Sequence, residues 1–192
     1  MAASAAPYGA KPIGTLSASG SFTGKVQHIK IASGYDTLIS WGDFVKLVAA
    51  GTIEKDTGTT TATPVGVFMG CSYTDPTTSQ PTYAQMWTAD VAASDAMAYV
   101  LTDPNVLFQM QGDGAITQAM LGSNFAIVVT AGSTTIGRSK NAVDQSTSNT
   151  TNTLPLRIVD YVDGPDSAVG DAYTDVIMKI NVGHQYVNTT GI

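Results

Sequence analysis

A β-strand in a protein core is predicted by the stretch Thr61-Ala62-Thr63-Pro64-Val65-Gly66-Val67-Phe68-Met69-Gly70-Cys71-Ser72-Tyr73. Pro64 stands at the entrance, where a missing backbone N–H costs little. The two faces of the extended chain carry Val65, Val67 and Met69 on one side and Gly66, Phe68 and Gly70 on the other. Two glycines on one face leave room for another backbone or a large ring to approach closely.

The composition favours a protein that is packed against other subunits. The chain has 192 residues, which is typical of one domain with an arm or an elaborated loop. Hydrophobic residues make up 43%, enough for a core, but only 12% are charged, about half the usual share. A surface rich in hydroxyls and amides and poor in charge is weakly protected against association.

Charge and cysteine content exclude several classes. The net charge is −6 and the nine basic residues are scattered, with only Arg138–Lys140 close to a cluster, so we expect no nucleic-acid partner. Cys71 is the single cysteine and is expected to be a buried, inert thiol. No apolar run is long enough to cross a bilayer and the N-terminus lacks signal-peptide features, so we expect no membrane partner and synthesis in a reducing cytoplasm.

Residues 1–24 are predicted to form an N-terminal arm, and residues 25–192 a β-rich domain. The arm is a tract of small residues that cannot form a core of its own, interrupted by two apolar side chains, Tyr8 and Ile13. Two alternatives stay open: a disordered tail, or an arm that becomes ordered across a neighbouring subunit through these two residues.

Short alternating segments separated by turn signals predict an all-β sandwich or barrel. Strands are predicted at 25–32, 37–41, 44–48, 53–55, 64–73, 82–88, 96–101, 106–111, 125–130, 156–162 and 176–182. One short helix is predicted at 115–121, between a Gly-Asp-Gly cap and Gly122. Residues 132–153 are polar and are predicted to be a long exposed loop.

No set of residues predicts catalysis, a metal site or a cofactor. Cys71, His28 and His184 are the only nucleophile-and-base set, and neither histidine lies in a motif. A P-loop, a dinucleotide-binding glycine motif and a serine nucleophile elbow are absent from the sequence. The acidic run from Asp160 to Asp175 matches no EF-hand loop and is better explained by turns. We therefore expect a protein that is not an enzyme.

Aromatic residues offer a further alternative. Six that could line a sugar-binding surface are Tyr8, Tyr35, Trp41, Tyr73, Tyr83 and Trp87. Aromatic residues on strands of an all-β protein more often lie in the core or at subunit interfaces.

Four segments stand out beside the small-residue arm: Gly42-Asp43-Phe44-Val45; Pro64 to Tyr73; Ala98-Tyr99-Val100-Leu101-Thr102-Asp103-Pro104-Asn105 leading to Phe108-Gln109-Met110-Gln111; and Leu154-Pro155-Leu156-Arg157-Ile158-Val159. With these features the chain resembles the head decoration (cement, or capsid-stabilising) proteins of tailed bacteriophages. The likeness is spread over most of residues 25–182 as short matches. The chain resembles, more distantly, the lambda-like head-stabilising fold, whose compact β-rich subunits form trimers.

The resemblance implies a virion structural protein that binds the outer surface of the capsid lattice. Its partners would be the major capsid protein and further copies of itself, as a trimer, and its location the capsid surface. The residues expected at capsid or subunit contacts are Tyr8, Ile13, Tyr35 and Trp41. Two other roles stay open: a head–tail or fibre-attachment protein, and a glycan-binding module on the virion surface.

Overall fold

Over the residues that the structure describes, the chain folds into two antiparallel sheets of six strands each in a sandwich-like arrangement, which confirms the all-β prediction. The computed structural model describes residues 4–16, 24–181, 183–188 and 191. In chain order the strands are β1 (Lys11–Thr15), β2 (Val26–Lys30), β3 (Phe44–Leu47), β4 (Ile53–Lys55), β5 (Gly66–Thr74), β6 (Pro81–Ala84), β7 (Met97–Leu101), β8 (Val106–Gln111), β9 (Asn124–Val128), β10 (Ala142–Asn149), β11 (Leu156–Tyr161) and β12 (Asp175–Ile180). The first sheet has the order β1-β8-β12-β11-β9-β10, and the second has the order β2-β7-β5-β3-β4, with β6 paired to β5.

Strand β5 is the central strand that its sequence predicts. Val67 packs in one hydrophobic core and Phe68 in the other, so both faces of the strand are covered. A Cβ added at Gly66 would overlap the backbone carbonyl of Leu101 on β7. A Cβ at Gly70 would lie 3.0 Å from the carbonyl oxygen of Ala84 and 3.8 Å from the ring of Tyr99. The expected close approach to glycine is confirmed at both positions.

Two cores hold the molecule together. The larger one packs the first sheet against β3, β5 and β7; among its fully buried members are Phe44, Val67, Phe108, Met110, Phe125, Ile127 and Val176. The smaller core lies on the other face of the second sheet, under chain segments near residues 31–39 and 87–96. Its fully buried members include Ile31, Ile39, Phe68, Cys71 and Trp87.

Isolated parallel bridges link strands that are not neighbours in the order of each sheet. Ile31, just after β2, pairs with Ile53 of β4, the strand at the other side of the second sheet. Gly112, just after β8, pairs with Val143 of β10.

The N-terminal segment is part of the sandwich over its described length. Strand β1 pairs with β8, with a register shift between Pro12 and Gly14. Ala10 is fully buried in the larger core, and the amide of Ala10 donates a hydrogen bond of 2.9 Å to the Gly42 carbonyl. Residues 17–23 of the predicted arm, and Val182 of the last predicted strand, lie outside the described residues.

The predicted helix at 115–121 is reduced to one 3₁₀ turn, Gln118–Met120. The segment is too short for a stable α-helix, and Thr117 makes no side-chain cap. Ile116 is instead anchored: it is fully buried, and its amide donates to the Thr174 hydroxyl at 3.1 Å. The described residues contain no α-helix, and no helix among them is long and apolar enough to span a membrane.

The predicted polar loop at 132–153 was wrong over its second half. Residues 142–149 form β10, paired with β9 at the border of the first sheet. The strand begins with buried Ala142 and Val143 and continues with polar residues whose hydroxyls and amides bond locally; Thr147 accepts a hydrogen bond from the amide of Ala126 at 2.9 Å. A border strand needs little apolar alternation, because one of its edges and much of its surface face solvent.

Candidate assembly surface

Tyr8 is held within its own chain. The residue is half-buried, and its hydroxyl lies beside Asp175 and Gln109 of the first sheet. Burial, and then the charge of Asp175, raise the pKa of the Tyr8 phenol. Burial also raises the pKa of the Asp175 carboxyl. The adjoining amides of Gly9 and Ala10 donate to the carbonyls of Asn141 and Gly42 at 3.2 and 2.9 Å, and these bonds hold the segment on the sandwich.

Ile13 lies on the border strand β1 with 39% of its surface exposed. Its strand is joined to β8 on one side only. Ile13 is exposed, whereas the other three expected contact residues, Tyr8, Tyr35 and Trp41, are half-buried.

Tyr35 is a structural residue with one accessible face. Its hydroxyl accepts a hydrogen bond from the Lys55 amide at 2.9 Å, and its carbonyl accepts one from the Trp87 indole N–H at 3.1 Å. Burial is the largest cause of the raised pKa of its phenol. The half-buried ring lines an open groove of about 500 Å³ together with Asp36, Lys46 and Glu54. We call this feature the acidic groove.

Trp41 is stacked under a cation. The Arg138 guanidinium carbon lies 5.1 Å from the centre of the indole ring, within the range of a cation–π interaction. Backbone bonds hold the two segments together: the Trp41 amide donates to the Gly137 carbonyl at 2.9 Å, and the Ser139 amide donates to the Trp41 carbonyl at 2.9 Å. The ring and the cation are therefore presented as one rigid unit.

The loop that carries Arg138 is closed by its own hydrogen bonds. The Ser133 amide donates to the Arg138 carbonyl at 2.8 Å, and the Gly137 amide donates to the Ser133 carbonyl at 2.8 Å. Ile136 stands at its tip with 62% of its surface exposed. Arg138 and Lys140 are also exposed, and the sequence from Gly114 to Val143 contains no carboxylate. We call residues 133–140 the basic loop.

A buried polar cluster lies between the basic loop and the acidic groove. Lys55 Nζ is 2.9 Å from Asp43 Oδ2, and their side chains are 6% and 0% exposed. Asp43 also accepts hydrogen bonds from the Ser139 hydroxyl at 2.6 Å and from the Ser40 amide at 2.8 Å. A buried charge pair of this kind needs the additional hydrogen bonds to offset the loss of hydration.

The four expected contact residues do not form one site. Trp41 and the backbone of the Tyr8 segment meet at Gly42, whose carbonyl accepts the Ala10 amide. Tyr35 lies across the buried polar cluster from them, and Ile13 lies on β1. Sequence reasoning missed the importance of Arg138, Ile136 and the Asp43–Lys55 pair. The absence of carboxylates between residues 114 and 143 was the signal that could have drawn attention to the basic loop.

The other candidate residues are dispersed. Cys71 is fully buried, its thiol points to the Met86 carbonyl at 3.5 Å, and burial raises its pKa to about 12. His28 packs edge-on against Tyr99 at 4.7 Å, whereas buried His184 accepts a hydrogen bond from the Tyr186 amide through Nδ1 at 3.2 Å. Within the described ranges, no three His, Cys, Asp or Glu residues are placed to hold a metal ion.

The aromatic residues also separate by environment. Trp87 is fully buried with Tyr73 edge-on at 5.6 Å, whereas Tyr83 is 78% exposed on β6. The six aromatic residues considered for sugar binding therefore do not share one face. Comparisons with protein-family models, with curated proteins and with solved structures found no match for this chain.

Proposed function

We propose that this protein is a virion structural subunit that binds the outer surface of a phage capsid lattice and bridges neighbouring major capsid subunits. The observation that carries the proposal is the surface: nine large hydrophobic side chains among the described residues are between 38% and 78% exposed. They are Ile13, Leu16, Val26, Tyr83, Leu121, Ile136, Val169, Tyr186 and Val187. On a chain with 12% charged residues, the surface that carries these side chains is weakly protected against association with other proteins.

The distribution of these side chains supports bridging of several neighbours. Leu16 and Val187 both flank the Asp103–Asn105 turn: the Leu16 amide donates to the Asn105 carbonyl at 2.9 Å, and Val187 lines the same cleft as Asn105. Tyr83 lies instead on β6 of the second sheet. A subunit that bridges several capsid subunits gains binding free energy that exists only in the assembled shell, and it stabilises the shell by mass action.

The rigidity of the fold also supports a binding role. Strands bordering both sheets are held by buried cores, so the backbone that carries their exposed side chains loses little conformational freedom on contact. Each stable contact is expected to bury at least about 1,000 Å².

The test uses purified expanded capsids that lack outer proteins, mixed with the full chain. We expect co-sedimentation that saturates at hundreds of copies per particle, counted by gel densitometry. Saturation at only a few copies would favour the head–tail or fibre-attachment role instead. Failure to bind capsids at any salt concentration, together with binding on a glycan array, would replace the proposal by the glycan-binding role.

A further inference from the structure

We propose that the basic loop of one copy binds the acidic groove of a second copy, in a head-to-tail contact. The contact rests on the proposed role as an assembling subunit, and it names the surfaces that join the copies. The two surfaces share no residue, so one copy can use both at once. A contact between two different surfaces is heterologous, and it closes into a ring when the rotation between copies permits.

The basic loop has the composition of an interface anchor. It presents Arg138 stacked on Trp41, with Ile136 at the tip. Tryptophan and arginine are enriched among the residues that dominate binding energy. Because the loop is closed by backbone hydrogen bonds, it needs little reordering to bind.

The loop is also electrically one-sided. Arg138 and Lys140 are exposed, and neither makes an ion pair within the described part of the chain. No carboxylate lies within three positions of Lys140 or within five positions of Arg138 in the sequence. The basic loop is therefore a positively charged surface on a chain whose net charge is −6.

The acidic groove supplies the complement. Asp36 is exposed and Glu54 partly exposed at its wall. Lys46 is a like charge there, and it lies opposite Glu54 on the neighbouring strand. The second lysine of the lining, Lys55, is already paired with Asp43. With Lys55 paired, the two carboxylates outnumber the one remaining lysine, so the groove carries a net charge of −1. The Tyr35 ring in the same groove offers an apolar surface for Ile136.

The two surfaces are joined through one buried carboxylate within the chain. Lys55, in the lining of the groove, contacts Oδ2 of Asp43, whereas Ser139, in the basic loop, donates to Oδ1. The buried polar cluster thus holds the backbone of both surfaces in position. Surfaces that are fixed in this way need little rearrangement to bind those of a second copy.

The experiment measures self-association of the full chain by sedimentation velocity, without capsids. Wild type is expected to associate and to dissociate as salt rises. The loop variant Arg138→Glu/Lys140→Glu and the groove variant Asp36→Lys/Glu54→Lys are each expected to weaken association by about 100-fold or more, because like charges then face each other. The variant carrying all four substitutions is expected to associate again, since the complementarity is restored with reversed sign.

Matched controls change the same charge elsewhere. Lys25→Glu/Lys30→Glu and Asp163→Lys/Asp166→Lys alter exposed residues outside both surfaces and are expected to associate like wild type. Circular dichroism verifies that each variant is folded. A monomeric wild type, variants that associate as tightly as wild type, or a folded four-fold variant that stays monomeric would each overturn the contact. Failure of capsid binding alone would overturn the proposed function and leave this contact standing.

Discussion

At the scale of single residues, the stability of the sandwich depends on a few buried positions. A substitution there lowers the free energy of unfolding by an amount that burial determines. Asp43 is the clearest case, because its carboxylate has no exposed surface and its charge is balanced by Lys55 at 2.9 Å. Nothing in the sequence indicates this pair, since its members are twelve positions apart and belong to different polar segments. Only the pairing of β3 with β4 brings them together.

Replacing Lys55 by methionine is expected to lower the free energy of unfolding by about 3–5 kcal/mol, because it leaves Asp43 charged, buried and unpaired. Urea denaturation measures the loss. The double variant Asp43→Asn/Lys55→Met should recover part of it, since no uncompensated charge remains. Lys30→Met removes an exposed cation and is the control, expected to change stability by less than about 0.5 kcal/mol. Equal losses for Lys55→Met and Lys30→Met would show that the pair contributes nothing.

Gly66→Ala is expected to lower the free energy of unfolding by about 3 kcal/mol or more, because the new methyl group would overlap the Leu101 carbonyl in the middle of the second sheet. Gly14→Ala on β1 is the matched control: it meets no atom within 4 Å and needs no left-handed backbone. Thermal unfolding of the two variants compares them. A Gly66→Ala protein as stable as the Gly14→Ala protein would contradict the close approach of β7.

His184 is expected to make stability depend on pH. Burial lowers the pKa of its imidazole, so the unfolded chain, with a histidine pKa near 6.5, binds the proton more readily than the folded chain. The free energy of unfolding should therefore fall as the pH decreases below about 7 and on through the lowered folded pKa, with a slope of up to about 1.4 kcal/mol per pH unit. The raised pKa values of Asp56 and Asp175 act in the opposite direction, since each stabilises the fold as the pH falls through its raised folded pKa.

His184→Asn keeps an acceptor for the Tyr186 amide and removes the titrating group. Urea denaturation between about pH 8 and pH 5 should show a smaller loss of stability for this variant than for wild type. Parallel curves for the two proteins would contradict the assignment.

At the scale of elements, apolar alternation predicted most strands but not the two at the borders of the first sheet. Strand β4 lies where it was predicted, at 53–55, and β5, β7, β8 and β12 lie within two residues of their predicted ends. Strands β1 and β10 were missed because small and polar residues can form a border strand without an apolar face. The four expected contact residues lie apart from one another in the fold. Their distances depend on the order of the strands in each sheet, which the local sequence pattern does not reveal.

The N-terminal segment provides a test at this scale, because its contribution to the stability of the fold and its contribution to capsid binding can be measured separately. Removing residues 1–16 is expected to destabilise the sandwich by several kcal/mol, since it deletes β1 and the fully buried Ala10. Ile13→Ser changes an exposed side chain, and we expect an unchanged unfolding midpoint with weaker binding to capsids. Thr82→Ser on β6 is the control for capsid binding. If Ile13→Ser binds capsids like wild type, the β1 border is not a capsid contact.

At the scale of the whole molecule, we expect the protein to stabilise the assembled shell. This expectation rests on its low charge, its two cores and its several separate exposed surfaces. If the protein bridges capsid subunits, saturating amounts should raise the temperature at which purified capsids open, because opening requires its release. Differential scanning calorimetry of capsids with and without the protein measures the shift.

The loop variant Arg138→Glu/Lys140→Glu should raise the opening temperature less than wild type at equal concentration. Loss of the contact between copies removes the avidity of linked binding while leaving each capsid contact intact. At concentrations that saturate the lattice, the variant should raise the opening temperature nearly as much as wild type does. The remaining difference measures what the contact between copies adds. Saturated capsids that open at the temperature of bare capsids would mean that binding adds nothing to the shell, and the protein would then decorate the particle without stabilising it.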